Sequence, residues 1–135
     1  MDIFGNLLED AKKASKHSYS PYSKFSVGAS ILYESGEIYT GCNVENASYG
    51  LSLCAERNAM ASAIAKGETS KIKAIAIYSP NQTLCMPCGA CRQWLSEFCI
   101  NEQETKIVLE DKNYSVLVLN LGDIFPYGFK FDEKQ

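Results

Sequence analysis

The sequence predicts an α/β protein in which a mixed five-stranded sheet lies between two layers of helices. Three observations lead to this fold class. Helix-like and strand-like segments alternate along the chain, one strand is mainly apolar, and a helix separates that strand from the next one. The length of 135 residues suits one domain, which we assign to residues 1–135.

The first elements are a helix and a hairpin. Residues 3–16 are predicted to form a helix that Asp2 caps, with strands over 27–33 and 37–44. Glu34-Ser35-Gly36 suits the hairpin loop between the two strands. The apolar residues of the helix recur on one face: Phe4, Leu7, Leu8, Ala11 and Ala14. This helix is therefore expected to pack against the sheet.

The middle of the chain supplies a helix and a buried strand. Residues 54–66 are rich in alanine, and Gly67 is the expected end of that helix. Residues 72–78 form a continuous apolar run, which is typical of a strand covered on both faces.

The last elements set the direction of the strands. A helix over 88–98 follows the apolar strand, and strands over 105–110 and 114–120 come next. Because a helix connects the strands at 72–78 and 105–110, we expect those two strands to be parallel, with a right-handed crossover. The first hairpin is antiparallel, so the sheet is mixed and the domain has three layers, α/β/α.

Composition and charge limit the partners. The net charge is −3, with 46% hydrophobic and 21% charged residues. We therefore expect no nucleic-acid partner, because nucleic-acid binders usually carry a basic face. No apolar stretch is long enough for a membrane span, and residues 1–6 do not resemble a secretory signal. We expect a cytoplasmic protein without a membrane partner, whose six cysteines are thiols or metal ligands.

The strongest functional signal is Cys54-Ala55-Glu56, followed downstream by Pro87-Cys88-Gly89-Ala90-Cys91. Cys88 and Cys91 share one face of a predicted helix start, and Cys54 begins another predicted helix. The positive end of a helix favours thiolate over thiol. Three such sulfurs fit tetrahedral Zn²⁺ with one coordination position open, which is typical of a catalytic zinc site.

Two other interpretations of these cysteines stay open. Cys88 and Cys91 could form a redox pair. Alternatively, the zinc site could be closed and structural, with a fourth ligand from Cys42, Cys85, Cys99 or His17. Glu56 argues against both, because a carboxylate beside three thiolates is costly unless it has a function.

The site also carries excess negative charge. Zn²⁺ with three thiolates sums to −1, which weakens its ability to acidify bound water. Arg57 is the first candidate to donate hydrogen bonds to a ligand sulfur and offset this charge, and Arg92 is the second.

These cysteine motifs resemble the zinc signature of the cytidine deaminase family. The segments Tyr22 to Ala29 and Thr40 to Gly50 are also similar to family motifs, and the resemblance covers about residues 19–129. It implies a cytidine-deaminase-like fold with one Zn²⁺ per subunit. The implied activity is hydrolysis of cytidine and 2′-deoxycytidine to uridine and 2′-deoxyuridine with release of ammonia, a step of pyrimidine salvage.

The resemblance also implies roles for individual residues. Glu56 would be catalytic: it would take a proton from the water that zinc activates, pass it to N3 of cytosine, and later protonate the departing amino group. Phe25 would pack against the pyrimidine, Asn43 and Glu45 would bind the ribose hydroxyls, and Tyr49 would line the pocket. The main chain of Ala55 and Cys88 would contact the base.

Charge near the sugar favours a free nucleoside as the substrate. A carboxylate at Glu45 would repel a phosphate placed nearby, so nucleotides and nucleic-acid strands are disfavoured.

The C-terminal segment predicts contacts between subunits. Aromatic residues crowd residues 125–131, and such residues often form an interface. Pro126-Tyr127-Gly128-Phe129 resembles the family's C-terminal segment, although Ile124-Phe125 stands where paired leucines are common. The resemblance implies a homotetramer with active sites near the subunit interfaces, in which Phe129 reaches a neighbouring site.

Overall fold

Helices cover both faces of one mixed sheet in the computed structural model, which describes residues 2–131. The described helices are α1 (Ile3–Ser15), α2 (Ala55–Ala65), α3 (Gly89–Phe98) and the short α4 (Leu121–Ile124). The strands of the described chain are β1 (Gly28–Tyr33), β2 (Ile38–Cys42), β3 (Ile72–Tyr78), β4 (Lys106–Glu110) and β5 (Val116–Asn120). The predicted α/β/α fold with a mixed five-stranded sheet is confirmed.

The sheet has the strand order β2-β1-β3-β4-β5. The pair β3 and β4 is parallel, as the intervening helix α3 predicts, and the other three pairs are antiparallel. A one-turn 3₁₀ helix over Tyr49–Leu51 and the helix α4 are additions to the predicted elements. In α4, Asn120 and Asp123 form a reciprocal capping box, which explains how a four-residue helix persists.

The core is divided by the sheet because successive residues of a strand point to opposite faces. On one face, Ala29, Ile31 and Tyr33 of β1 belong to a cluster with residues of α2 and α3. On the other face, Leu32 packs with residues of α1. The strand β3 is buried on both faces over Ala74–Ile77, as predicted. Lys73, a charged residue within the predicted apolar run, is exposed, and Tyr78 is half-buried.

Two glycines let helices lie directly on the strands. A Cβ at Gly28 would stand 2.0 Å from the carbonyl oxygen of Ala11, which is too close for any side chain. The backbone of α1 therefore packs directly against the backbone of β1. A Cβ at Gly41 would stand 2.7 Å from the carbonyl oxygen of Ala55. Because Gly41 has no side chain, β2 contacts the backbone of the first turn of α2. This contact fixes where that helix begins.

None of the helices in the described range is both long enough and apolar enough to cross a membrane. The assignment of residues 1–135 to a single domain stays a prediction.

Glu68 connects the segment after α2 to the first hairpin. Its carboxylate accepts hydrogen bonds from Ser35 Oγ at 2.8 Å, Tyr39 Oη at 3.2 Å and Ser70 Oγ at 2.7 Å. These bonds, led by that of Ser70, lower the pKa of Glu68 to about 2.

This network gives a pH dependence of stability that can be measured. A carboxyl group with a lowered pKa in the folded state stabilises the fold above its ordinary value of 4.5, and this stabilisation is lost as the pH falls towards 2. We expect Glu68→Gln to lower the free energy of unfolding at pH 7, and the difference from the unmodified protein to narrow between pH 4.5 and pH 2.

Urea denaturation at pH 7, 4 and 3 measures this difference. Glu37→Gln is the matched control because Glu37 is an exposed acid of the same hairpin. A difference for Glu68→Gln that stays constant across this pH range would contradict the assigned network.

Candidate active site

Three sulfur atoms meet where α2 and α3 begin. Cys54 Sγ lies 3.8 Å from Cys88 Sγ, and Cys88 Sγ lies 3.5 Å from Cys91 Sγ. All three sulfurs are within 4.8 Å of one another. Zn–S bonds of about 2.3 Å in a tetrahedral arrangement place sulfurs about 3.8 Å apart, so these residues fit Zn²⁺.

Helix starts determine this meeting. Cys54 is the N-cap of α2 and Cys88 is the N-cap of α3, and both have extended backbone conformations. Cys91 lies in the first turn of α3 and is fully buried. Because two helix N-termini point at one place, their dipoles favour negative charge on the sulfurs.

The cluster contains three ligands in the described part of the chain. Cys42, Cys85, Cys99 and His17 all lie within residues 2–131, and none of them joins the group of metal-competent side chains. The closed structural site therefore has no fourth cysteine or histidine in this structure.

Glu56 is buried beside the sulfurs, with 4% of its surface exposed. It occupies the first turn of α2, two residues after Cys54. Burial is the main cause that raises the pKa of Glu56 to about 7, and the negative charge of Cys54 adds to this effect. A carboxyl group with such a pKa is able to accept and to return a proton near neutral pH.

The two arginines near the site make different contacts. Arg57 Nη2 donates to Cys54 Sγ at 3.4 Å, which is the contact that charge compensation requires. Arg92 instead donates to two backbone carbonyls, Pro87 O at 2.7 Å and Ile124 O at 2.6 Å. Arg92 therefore supports the loop before Cys88, whereas Arg57 faces the sulfurs.

The thiols of Cys54 and Cys91 differ in acidity. Hydrogen bonds from Cys91, then Arg57 and Cys88, lower the pKa of Cys54 to about 5. The hydrogen bond between Cys91 and Cys54, together with burial, raises the pKa of the Cys91 thiol above its usual range. A bound dication would be needed to hold all three sulfurs as thiolates.

The residues predicted to bind the sugar are engaged by the chain itself. Asn43 Nδ2 donates to Phe25 O at 2.8 Å, and Asn43 Oδ1 accepts from Val27 N at 2.9 Å. Glu45 Oε1 accepts from Tyr22 N at 3.0 Å. Asn43 and Glu45 thus hold the segment that carries Phe25.

The remaining predicted residues differ in burial. Ala55 is fully buried at the first position of α2. Tyr49 is 72% exposed and its ring packs edge-on against Tyr22, with centroids 5.9 Å apart. Phe25 is half-buried.

Phe129 projects from the C-terminal segment with 73% of its surface exposed. Its backbone is fixed to α3, because Gln93 Nε2 donates to Phe129 O at 2.8 Å and Phe129 N donates to Gln93 Oε1 at 3.2 Å. The aromatic ring therefore protrudes from a segment whose backbone is anchored to Gln93. Gln93 follows the buried Cys91 by two residues on α3.

Several supporting residues escaped the sequence analysis. Asn58 Nδ2 donates to Cys42 O at 2.8 Å and joins α2 to the end of β2. Gln93 anchors the C-terminal segment, and Ser23 Oγ bonds Glu45. Their only sequence signal was proximity to a motif, since a polar side chain does not reveal which distant backbone atom it will bond.

Comparisons with known proteins all identify cytidine deaminases as similar to this chain. A family model described as "Cytidine and deoxycytidylate deaminase zinc-binding region" matches residues 4–106. A cytidine deaminase of Mycobacterium tuberculosis is 40% identical over 133 residues, covering 98% of this chain and 94% of that protein. A cytidine deaminase of Sporosarcina psychrophila is 48% identical over 99 residues, covering 73% of this chain and 71% of that protein.

A solved structure agrees with the sequence comparisons. The crystal structure of a cytidine deaminase from Burkholderia pseudomallei superposes with a TM-score of 0.85 and 41% identity. The similarity covers 96% of this chain and 100% of that one.

Removal of one sulfur should release the metal. We expect Cys88→Ser to lower bound zinc from about one ion per chain to a small fraction, because two thiolates and a hydroxyl hold Zn²⁺ poorly. Metal content of the purified variant measures this. Cys42→Ser, which changes a thiol outside the cluster, is the control and should keep its zinc. Full zinc content in Cys88→Ser would remove Cys88 from the ligand set.

Proposed function

Because this chain belongs to the zinc-binding family of cytidine and deoxycytidylate deaminases, we propose that it hydrolyses cytidine and 2′-deoxycytidine to the corresponding uridines. Ammonia is the second product, and the reaction serves pyrimidine salvage. The observation that carries this proposal is a cluster of three thiols with a buried carboxyl group beside it. The predicted zinc cofactor is confirmed by the family and by the cluster's ability to hold a metal ion.

Cys54, Cys88 and Cys91 would hold the zinc ion, which would supply a Lewis acid that acidifies water near neutral pH. The neighbouring Arg57 offsets part of the negative charge of the three thiolates. Its hydrogen bond to Cys54 Sγ at 3.4 Å supports this role. A less negative sulfur set donates less charge to the metal and leaves it a stronger acid.

Glu56 moves the protons of the reaction. Its carboxylate accepts a proton from water and delivers it to N3 of cytosine, which makes C4 more electrophilic. A C4–O bond then forms to the remaining hydroxyl, and Glu56 carries the proton of that hydroxyl to the amino group. The C4–N bond breaks, ammonia leaves, and the carbonyl group of uracil remains. The burial of Glu56 supports this assignment, because a carboxyl group shielded from solvent keeps the proton within the site.

We assign the substrate contacts to the same segments that surround the cluster. Phe25 packs on the pyrimidine, the main chain of Ala55 and Cys88 contacts the base, and Tyr49 lines the pocket. Asn43 and Glu45 bind the ribose hydroxyls. Asn43 has one amide hydrogen left beside its bond to Phe25 O, which supports a further contact.

A free nucleoside suits this site better than a nucleotide. Hydrogen bonds from Ser23 and Tyr22 lower the pKa of Glu45, so the proposed sugar site carries a negative charge at neutral pH. This charge repels a 5′-phosphate placed nearby. The overall charge of −3 acts in the same direction and disfavours nucleic-acid strands.

We also assign a homotetramer with active sites near the subunit interfaces, in which Phe129 reaches a neighbouring site. Exposed aromatic side chains support an interface at the C-terminal segment: Tyr127, Phe129 and Phe131. Light scattering on a sizing column should give the mass of four chains. A monomer mass that persists at high concentration would contradict this assignment.

A cytoplasmic location completes the proposal. All six cysteines lie within residues 2–131 and are free thiols, which suits a reducing compartment.

The catalytic role of Glu56 can be separated from metal binding. We expect Glu56→Gln to keep its zinc and to lose about 10²–10⁴-fold in kcat on cytidine, because an amide cannot transfer the protons. Ammonia release and the absorbance change on deamination measure turnover, and metal analysis measures zinc. Glu97→Gln, an exposed acid on α3, should behave like the unmodified protein. Near-normal turnover in Glu56→Gln would refute the assigned role.

A further inference from the structure

The segment from Ser18 to Val27 has no helix or strand of its own apart from an isolated bridge at Tyr19. Lys24 has φ of 60°, in the left-handed region that a lysine rarely adopts. Backbone bonding inside the segment is sparse, with one bond from Lys24 N to Ser20 O at 3.0 Å. Backbone bonds to residues 43 and 45 hold the segment at its two ends, at Tyr19 and Val27. Between these ends, the position of Phe25 depends on side-chain hydrogen bonds.

Asn43 forms hydrogen bonds with the segment on the C-terminal side of Phe25. Its amide oxygen accepts from Val27 N at 2.9 Å, and its amide nitrogen donates to Phe25 O at 2.8 Å. These two bonds hold residues 25–27, but neither of them involves the backbone N–H of Phe25.

Ser23 supplies the bond on the N-terminal side. Phe25 N donates to Ser23 Oγ at 3.0 Å, and Ser23 Oγ donates its hydrogen to Glu45 Oε2. Because a hydroxyl carries a single hydrogen, donation to the carboxylate leaves its lone pairs for the Phe25 amide. The backbone N–H of Ser23 also donates to Glu45 Oε1 at 3.2 Å. Ser23 thus forms a chain of hydrogen bonds from Glu45 to Phe25.

We propose that Ser23 is a positioning residue that fixes Phe25 relative to Glu45, so that the contact to the base and the contact to the sugar keep one spacing. The proposal rests on the proposed function, in which Phe25 meets the pyrimidine and Glu45 meets the ribose. The proton-transferring Glu56 and the three sulfurs lie on other elements, α2 and α3 with their N-caps. Loss of Ser23 Oγ therefore weakens binding of the nucleoside and leaves the chemical step intact.

Steady-state kinetics with cytidine tests this separation. We expect Ser23→Ala to raise KM about tenfold, the size of one hydrogen bond to a charged group, with kcat within about twofold of the unmodified protein. Ser23→Thr keeps the hydroxyl and should restore a KM close to normal. Ser26→Ala is the matched control, since among residues 2–131 Ser26 Oγ has only a long polar contact, to Ser20 Oγ at 3.5 Å.

A double variant tests the coupling to Glu45. In a Glu45→Ala background, adding Ser23→Ala should raise KM by less than twofold, because the carboxylate that accepts from Ser23 Oγ is already absent. If Ser23→Ala raises KM by the same tenfold in this background as it does alone, the two residues are not coupled and the proposal is contradicted.

Amide hydrogen exchange of Phe25, followed by NMR, tests the same contact without any turnover. We expect exchange at Phe25 to be about tenfold faster in Ser23→Ala and near normal in Ser23→Thr and Ser26→Ala. Exchange and KM in Ser23→Ala that match the Ser26→Ala control would overturn the proposal. An unmodified protein that does not deaminate cytidine would instead refute the proposed function, and the exchange rates would still decide the role of Ser23 in holding Phe25.

Discussion

Two helix N-termini converge at one point, and the candidate site is built around their meeting. Cys54 and Cys88 are both N-caps, and their sulfurs lie 3.8 Å apart although 34 residues separate them in sequence. The sheet enforces this meeting, because Gly41 lets β2 touch the backbone of α2 at its first turn. A side chain at that position would push the helix away and separate the sulfurs, so a glycine in a strand determines the geometry of the proposed metal site.

The electrostatics of the site follow from that meeting. Thiols and a buried carboxyl group are concentrated where two helix dipoles point, and the guanidinium of Arg57 lies against Cys54. Without a cation, burial and mutual repulsion favour protonated groups, so a bound dication would be needed to hold all three sulfurs as thiolates. The same two helix starts therefore bring together a cluster able to hold a metal ion and the buried carboxyl group of Glu56, which is the arrangement that the proposed deamination needs.

Sequence reasoning predicted most of the fold because the hydrophobic patterns were strong. The apolar run at Ile72–Tyr78 matched β3 to the residue, and the parallel pairing of β3 with β4 followed from the intervening helix. The helix α4 was missed because its four residues show no periodicity, and a reciprocal cap holds it instead. The clustering of the three cysteines was predictable because their motifs are themselves the signal. The engagement of Asn43 and Glu45 with the segment around Phe25 was not, since those bonds join residues about 20 positions apart that carry no shared pattern.

X-ray absorption at the zinc edge of the purified protein counts the atoms around the metal. We expect three sulfur scatterers at about 2.3 Å and one lighter atom in the fourth position. Four sulfurs, or fewer than three, would contradict an open three-thiolate site built from two helix starts.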